Sequence, residues 1–340
     1  YFFGLALTFL WSDNHAYFFE RIQIALPFLC LPFAFASFSP LSPRDWNGML
    51  LAFLVLVLGG MTWSLGLYLS HKQFYDAGYA YSKVMPTPFQ NDHIRFSLAV
   101  LLGIGIGIDL FRQTNIRWQK LALVFFTLFS VVYLHMLAVK TGIFLFYGLG
   151  FFVLIRFLFL PAWRKLALVS LLVLGTLPLL MYHLSDSFKN KWHYFVYSLN
   201  EMRNHTDQPQ VSDEGRVISY RYALEAIGHQ KFIGCGLGDV QDIMHEYYRR
   251  DFPTQENIAL LPHNQFLMAT MSAGIGFGLF LLGFFLYLGR IAYQKGGLCF
   301  IFWIMMGCSM MIEPLFETQY GACIFLFFLL VLLQRRTAHR

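Results

Sequence analysis

Charge is what this 340-residue sequence has least of: Asp, Glu, Lys and Arg make up 13% of it, about half the share found in soluble globular domains. With so thin a polar coat a chain of this length cannot cover a water-facing surface. A soluble enzyme and a disordered chain are both excluded. Cysteine is also scarce. Of the five, Cys30, Cys299, Cys308 and Cys323 sit inside apolar runs and only Cys235 lies in a polar segment, so neither a disulfide framework nor a zinc knuckle follows. The eleven histidines offer no close pair on one helix face. The formal charge of +6 does not indicate nucleic acid, because Lys and Arg punctuate apolar runs and do not cluster on a face.

Hydrophobic residues fill 57% of the chain and aromatic residues 19%, with a mean hydropathy of +0.53. Lipid supplies no partners for backbone N–H and C=O groups, so apolar runs of about 17 to 25 residues cross a bilayer as helices. Spans are predicted near 22–38, 47–70, 95–111, 121–139, 142–160, 166–184, 266–289, 298–312 and 320–333, with 1–12 part of another. The fold class is therefore all-α: a polytopic helical membrane protein of about ten spans. Its expected segments are a transmembrane bundle over 1–184, a large loop segment over 185–262, and C-terminal transmembrane helices with a tail over 263–340. The sequence opens at Tyr1 within an apolar run, which reads as a piece of a longer protein.

Orientation follows from the excess of Lys and Arg in cytoplasmic loops. Alternate connections carry Arg44; Arg112, Arg117 and Lys120; Arg156, Arg164 and Lys165; Arg290 and Lys295; and Arg335, Arg336 and Arg340. The opposite short connections carry only Arg21, Lys72, Lys83, Arg95 and Lys140. The C-terminus is expected in the cytoplasm and residues 185–262 outside. Ionisable groups near membrane depth are functional candidates. With this topology Arg95, His135, Lys140, His183, His263, Glu313 and Glu317 all fall at outer helix ends. A coupled transporter would place such groups near the midplane on interrupted helices, and neither such a pair nor an internal repeat is evident.

The outer segment is too aromatic to be a linker. Phe188, Trp192, Phe195 and Leu199 recur at helical spacing, as in an interfacial helix whose apolar face meets lipid or neighbouring spans. The pattern breaks over 202–213. Ser212 or Asp213 then caps a helix with a stripe of Val217, Tyr220, Leu224 and Ile227, and Arg216 lies in its first turn. Glycines follow in FIGCGLGD, then a short helix with Val240, Ile243, Met244 and Tyr247 on one face. GCGLGD lacks the Lys-Ser/Thr pair of a phosphate-binding nucleotide loop and no strand precedes it. It is expected to turn the chain between helices, with backbone amides able to approach an anion.

The order of these motifs, an Arg opening a helix in SDEGRVISYRYALEAI, the GCGLGD turn, and His-Asn at the start of a span in LPHNQFLMATMSAGIGFG, resembles the O-antigen ligase and O-antigen polymerase superfamily. KTG at Lys140 and the acidic IEPLFETQYG before the last span extend the likeness over roughly 140–325. Ligases of the family often carry Ser-Arg-Gly where this chain has Lys140, and Lys cannot form a two-pronged grip on phosphate. Family ligases have twelve spans, three of them after the large loop, so about two N-terminal spans are expected to be missing. The resemblance implies transfer of a glycan from undecaprenyl pyrophosphate to an acceptor hydroxyl on the periplasmic side of the bacterial inner membrane, without cofactor, nucleotide sugar or metal. Ligation to lipid A-core leads the readings. A polymerase of the same superfamily and a protein O-glycan ligase are the nearest rivals, and a membrane transporter represents a different class. The outer acidic residues also lack the Asp-x-Asp spacing of metal-dependent lipid-carrier transferases.

Residue roles follow from the chemistry. Pyrophosphate leaves readily once its charge is met by cations, and the acceptor hydroxyl needs one base. Arg216 is the expected pyrophosphate ligand, since guanidinium pairs two oxygens at once; as a bare surface residue it would pair with Asp213 or Glu214. His263 is the expected general base, because its ordinary pKa leaves a neutral acceptor at neutral pH; without the motif it would read as an interfacial cap. Lys140 is a second cation for the substrate or a snorkelling lysine. Arg95 and Arg221 are further phosphate candidates. Asn264 or a nearby carboxylate is expected to orient the ring. Glu313 and Glu317 are expected to pair with these cations or to receive the acceptor. Expected partners are the polyprenyl pyrophosphate-linked donor, the glycan acceptor and membrane lipids, with no nucleic acid.

Overall fold

The computed structural model describes residues 1–37, 42–81, 83–88, 92–203, 212–254 and 260–334, all of them helix, turn or loop with no strand among them. Chain-internal hydrogen bonding is the only way such apolar runs satisfy their backbone. Among the described residues seven helices are long and apolar enough to cross a membrane: His15–Ser37, Arg44–Ser70, His93–Gln113, Arg117–Leu137, Lys140–Leu158, Arg164–Leu184 and Gln265–Lys295. Gly297–Met310 and Gln319–Gln334 are apolar but shorter. All nine predicted full spans coincide with one of these helices. The protein is a polytopic helical membrane protein, and only the short stretch 1–12, a six-residue helix with a 3₁₀ turn, falls below the predicted count. Arg335, Arg336 and Arg340, which enter the orientation argument, lie outside the described residues, as do positions 204–211.

Contacts divide the chain into two compact units, one of residues Ser42–Leu199 and the other of Tyr1–Leu41 with Asn200–Arg340. The second unit contains α1 (Phe2–Leu7), α2 (His15–Ile24) and α3 (Pro27–Ser37). The Ser42–Leu199 unit contains α4 (Pro43–Ser70), α5 (Lys72–Tyr79), α6 (His93–Gln113), α7 (Arg117–Leu137), α8 (Lys140–Leu158) and α9 (Arg164–Leu184), and most of α10 (Asp186–Arg203). The chain then returns to the other unit for α11 (Ser212–His229), α12 (Val240–Asp251), α13 (Gln265–Lys295), α14 (Gly297–Met310) and α15 (Gln319–Gln334).

Within the Ser42–Leu199 unit, α4 starts with a capping box in which Ser42 and Asp45 satisfy one another's backbone N–H groups, with Pro43 in the first turn, the combination that starts helices most firmly. α7 ends on Ala138 at φ 51°, and α8 begins two residues later with Lys140. Gly142 allows α8 to approach α6 closely: a Cβ there would meet the Ser97 side chain at 2.7 Å. His135 is fully buried on α7, with Nδ1 2.7 Å from the Val131 carbonyl and Nε2 2.6 Å from the Tyr147 hydroxyl. Both ring nitrogens are occupied, so this histidine is a structural one. α10 buries Ser187, Lys191, Tyr194 and Ser198 and exposes Trp192 and Leu199, so much of its predicted apolar stripe faces away from protein.

In the other unit α11 buries Ile218, Tyr222, Ala223 and Ala226, while Val217 and Leu224 are exposed. The predicted stripe of Val217, Tyr220, Leu224 and Ile227 is thus rotated from the real one. Helical spacing identifies apolar faces, but close packing on α13 selects the face with small alanines. α12 buries Val240, Met244 and Tyr248 and packs Ile243 and Tyr247 beside them, close to expectation.

The feature that hydropathy does not disclose is a break in α13. Gly274 adopts φ 85°, ψ 168° inside the helix, a region open essentially to glycine alone. The break would strand backbone groups in an apolar setting, and the GCGLGD segment satisfies them. Cys235 N donates to the Met271 carbonyl and Gly236 N to the Ser272 carbonyl, both at 2.9 Å, while Ile275 N donates to the Lys231 carbonyl at 2.9 Å. On its other side Leu237 N donates to Thr8 Oγ1 and Gly238 N to Ser12 Oγ. The amides of the turn are therefore occupied by the protein itself, and the expected approach of an anion to them is not met.

Gly274→Ala is expected to lower stability by on the order of 3 kcal/mol, because a Cβ there would lie 2.0 Å from the Phe232 carbonyl oxygen. Gly276→Ala, which meets nothing within 4 Å, should be neutral. Thermal unfolding midpoints of the two variants in detergent, read by size-exclusion fluorescence, check the contrast.

Candidate active site

The site is assembled from three places in the chain: the first two turns of α11, the residues that open α13, and the connection between α14 and α15. Asn264 caps α13, its Oδ1 accepting from Phe266 N at 2.9 Å and Leu267 N at 3.1 Å, and its Nδ2 donating to the Met311 carbonyl at 3.2 Å. This is ordinary N-cap chemistry, and it fixes His263 immediately before the helix. His263 N donates to Ser219 Oγ at 3.3 Å. The Tyr220 hydroxyl lies 3.0 Å from the carbonyl oxygens of both His263 and Met311. One turn of α11 therefore holds the histidine backbone and the α14–α15 connection together.

Glu313 lies on that connection with a side chain only 7% exposed. One carboxylate oxygen accepts from Arg216 Nη2 at 2.9 Å, and the other is 3.2 Å from His263 Nδ1. Arg216 Nη1 reaches Asp213 at 3.2 Å, so the guanidinium bridges two carboxylates, and its Nε is buried with no hydrogen-bond partner among the described residues. Burial by itself would push the Glu313 carboxyl up, but the His263 hydrogen bond and the charges of His263 and Arg216 outweigh it, and its pKa lies below the ordinary value. Glu313 is thus ionised at neutral pH and can only accept. The hydrogen between the two groups belongs to His263 Nδ1. In the neutral ring Nε2 then carries the lone pair, and it has no partner among the described residues. A carboxylate that fixes the tautomer and leaves the distal nitrogen free is the arrangement a general base requires.

The other sequence-predicted residues are placed as follows. Glu317 pairs with Arg21 of α2, whose guanidinium also donates to the Glu317 carbonyl at 2.9 Å. Arg221 faces Asp251 at 3.5 Å and stacks beside Tyr222. Asn264 is engaged in capping, and Glu313, the carboxylate alternative, orients the ring. Lys140 and Arg95 belong to the Ser42–Leu199 unit. There the Lys140 ammonium sits over the rings of Tyr194 and Phe195 at 5.5 and 5.0 Å, and Arg95 pairs with Asp92 at 2.7 Å. Sequence reasoning misses Tyr220, Ser219, Arg21 and Gln265. Tyr220 carries one usable signal, its place one turn after Arg216. Gln265 carries none, although its Oε1 accepts from Phe316 N at 2.7 Å and its Nε2 donates to the Tyr1 hydroxyl at 3.1 Å.

The lowered pKa of Glu313 has a definite sign in stability. A carboxyl depressed on folding stabilises the native state fully above its unfolded value, near 4.5, and that contribution is lost as pH falls through the folded value. Glu313→Gln is expected to be less stable than the parent at pH 7 by about 2 kcal/mol, because Arg216 then has only Asp213. The difference should shrink below pH 4.5, and paired unfolding curves at pH 7 and under acid conditions measure it.

The family model described as O-antigen ligase matches residues 122–283. The match includes Lys140, Arg216, the glycine turn and His263; Arg95, Glu313 and Glu317 lie beyond it. No curated protein matches the chain. The match over residues 122–283 and the order of motifs around His263 together support the relation of this polytopic membrane protein to the O-antigen ligase and polymerase superfamily.

Proposed function

We propose that the protein joins a glycan carried on a polyprenyl pyrophosphate to the hydroxyl of a second molecule, ligating O-antigen to lipid A-core on the periplasmic face of the inner membrane. The family match supports the coarser statement, glycan transfer of the ligase or polymerase type by a multi-pass membrane protein. The observation that carries the finer one is the His263–Glu313–Arg216 group.

In this reading the acceptor oxygen attacks the anomeric carbon of the donor glycan and His263 Nε2 takes its proton. The bond between that carbon and the pyrophosphate oxygen breaks, and the electron pair leaves with the pyrophosphate. Glu313 keeps the imidazole in the basic tautomer and stabilises the imidazolium that forms. Arg216 neutralises the leaving group. Its pairing with two carboxylates keeps it extended when the site is empty, and a pyrophosphate can displace one of them as the stronger anion. Lys140, Arg95 and Arg221 remain phosphate candidates on sequence grounds, and the reaction proceeds with neither cofactor nor metal. The acceptor distinguishes ligase from polymerase and from protein O-glycan ligase.

His263→Ala is expected to abolish transfer, by at least 10²-fold, while the protein still folds and retains the lipid-linked donor; a transporter would be indifferent to it. Arg216→Lys should also reduce transfer because it keeps the charge and loses the fork, and wild-type turnover in that variant would remove Arg216 from the site. Transfer that stops with EDTA and returns with a divalent ion would contradict the metal-free step. Gel profiles of envelope glycolipids from a deletion strain decide the acceptor. Ligase loss leaves bare core with glycan accumulating on the carrier, polymerase loss leaves core with single repeat units, and an unchanged profile points to a protein acceptor or to transport.

A further inference from the structure

The chain between α11 and α12 leaves two large apolar side chains uncovered. Phe232 is 91% exposed and Ile233 57%, beside the exposed Lys231. Their backbone is nevertheless fixed: the Lys231 carbonyl accepts from Ile275 N, and the Phe232 carbonyl lies where a Cβ on Gly274 would be. A rigid backbone carrying bare phenylalanine and isoleucine is costly in water, because both side chains are favoured by burial.

What covers them follows from the helix they touch. Beyond the break, α13 runs from Ile275 to Lys295. These 21 residues make about 31 Å of helix, the thickness of a bilayer's hydrocarbon core. Ile275, Leu279, Leu282 and Leu286 are all exposed, and their spacing of four, three and four residues puts them on one face, the side that meets lipid. Arg290 and Lys295 mark the far end, as expected at a membrane boundary. Phe232 and Ile233 sit beside Ile275 at the near end of this stripe. The lipid-facing surface of the crossing helix thus continues onto them, and Lys231 stands where its ammonium meets headgroups. Trp11, which lines a cavity of about 770 Å³ together with Phe232 and Ile233, belongs to the residue type enriched at that depth.

We propose that the Lys231–Ile233 tip inserts into the interfacial layer of the bilayer and there sets the height of α11, the helix that bears Arg216. The occupant of the bare patch is lipid. The tip acts as a depth stop: α11 precedes it directly, and the hydrogen bonds across the Gly274 break tie it to the half of α13 that His263 and Asn264 open. This placement is independent of the transfer reaction and is measured without it.

The test uses the full chain in vesicles of phosphatidylethanolamine and phosphatidylglycerol. A ketone-bearing phenylalanine analogue is introduced at position 232, and in a second sample at 233, and coupled to a nitroxide, which leaves the five cysteines untouched. Collision rates with oxygen, which partitions into lipid, and with a water-soluble nickel chelate give the depth. Position 279 is the lipid reference and position 246, exposed on α12, the aqueous one. The oxygen-to-nickel ratio at 232 and 233 is expected to be several-fold above that at 246 and to approach that at 279. A ratio equal to that at 246 would overturn the proposal by placing the tip in water. Low collision rates with both reagents would overturn it equally, since they would mean that protein covers the patch.

Discussion

A carboxylate has two oxygens, and at Glu313 each has a different task. One holds the guanidinium of Arg216 and the other holds the imidazole of His263. In a site this far removed from water an unshared negative charge is expensive, and the two donors offset that cost. The same arrangement makes the histidine useful, because an ionised acceptor dictates which nitrogen carries the hydrogen. Around this centre the rest is scaffold: Asn264 starts the helix, Tyr220 spans two carbonyls, and Gln265 ties the beginning of α13 to the backbone at Phe316.

Much of this was legible in the amino-acid order. Hydropathy located every long apolar helix among the described residues, since a backbone in lipid must be satisfied within the chain. Motif order located Arg216 and His263. The faces of helices were less legible. In a soluble protein the apolar stripe of α11 would mark its buried side, but beside a membrane apolar residues serve both interfaces. Val217 and Leu224 are outward-facing, and alanines make the close contact. The role of Glu313 was open to sequence reasoning only as one of several acidic residues, because it lies 50 residues from His263 and no local periodicity connects them. Tyr220 and Gln265 were hidden for the same reason.

The glycines of FIGCGLGD show how a motif can be conspicuous without being chemical. Two of its residues, with Lys231 just before it, interlock with the break at Gly274 and two more with the residues around Thr8 and Ser12. Positive φ at Gly234 and Gly236 provides the curvature, and a Cβ at either position would run into the neighbouring chain. A glycine-rich pattern invites a reading as an anion cradle, yet its amides are engaged in repairing a helix.

The chain order of the site has a consequence for its biogenesis. α11, the glycine turn and both halves of α13 are contiguous enough to join while later residues are still being synthesised, as sequential folding of nascent chains permits. Glu313 emerges only after α14. Until it arrives, Arg216 has Asp213 alone and the ring of His263 has no carboxylate to choose its tautomer. The last hairpin, α14 with α15, therefore completes the site as well as the bundle, and a nascent chain that has inserted every preceding helix still lacks the carboxylate that joins His263 to Arg216.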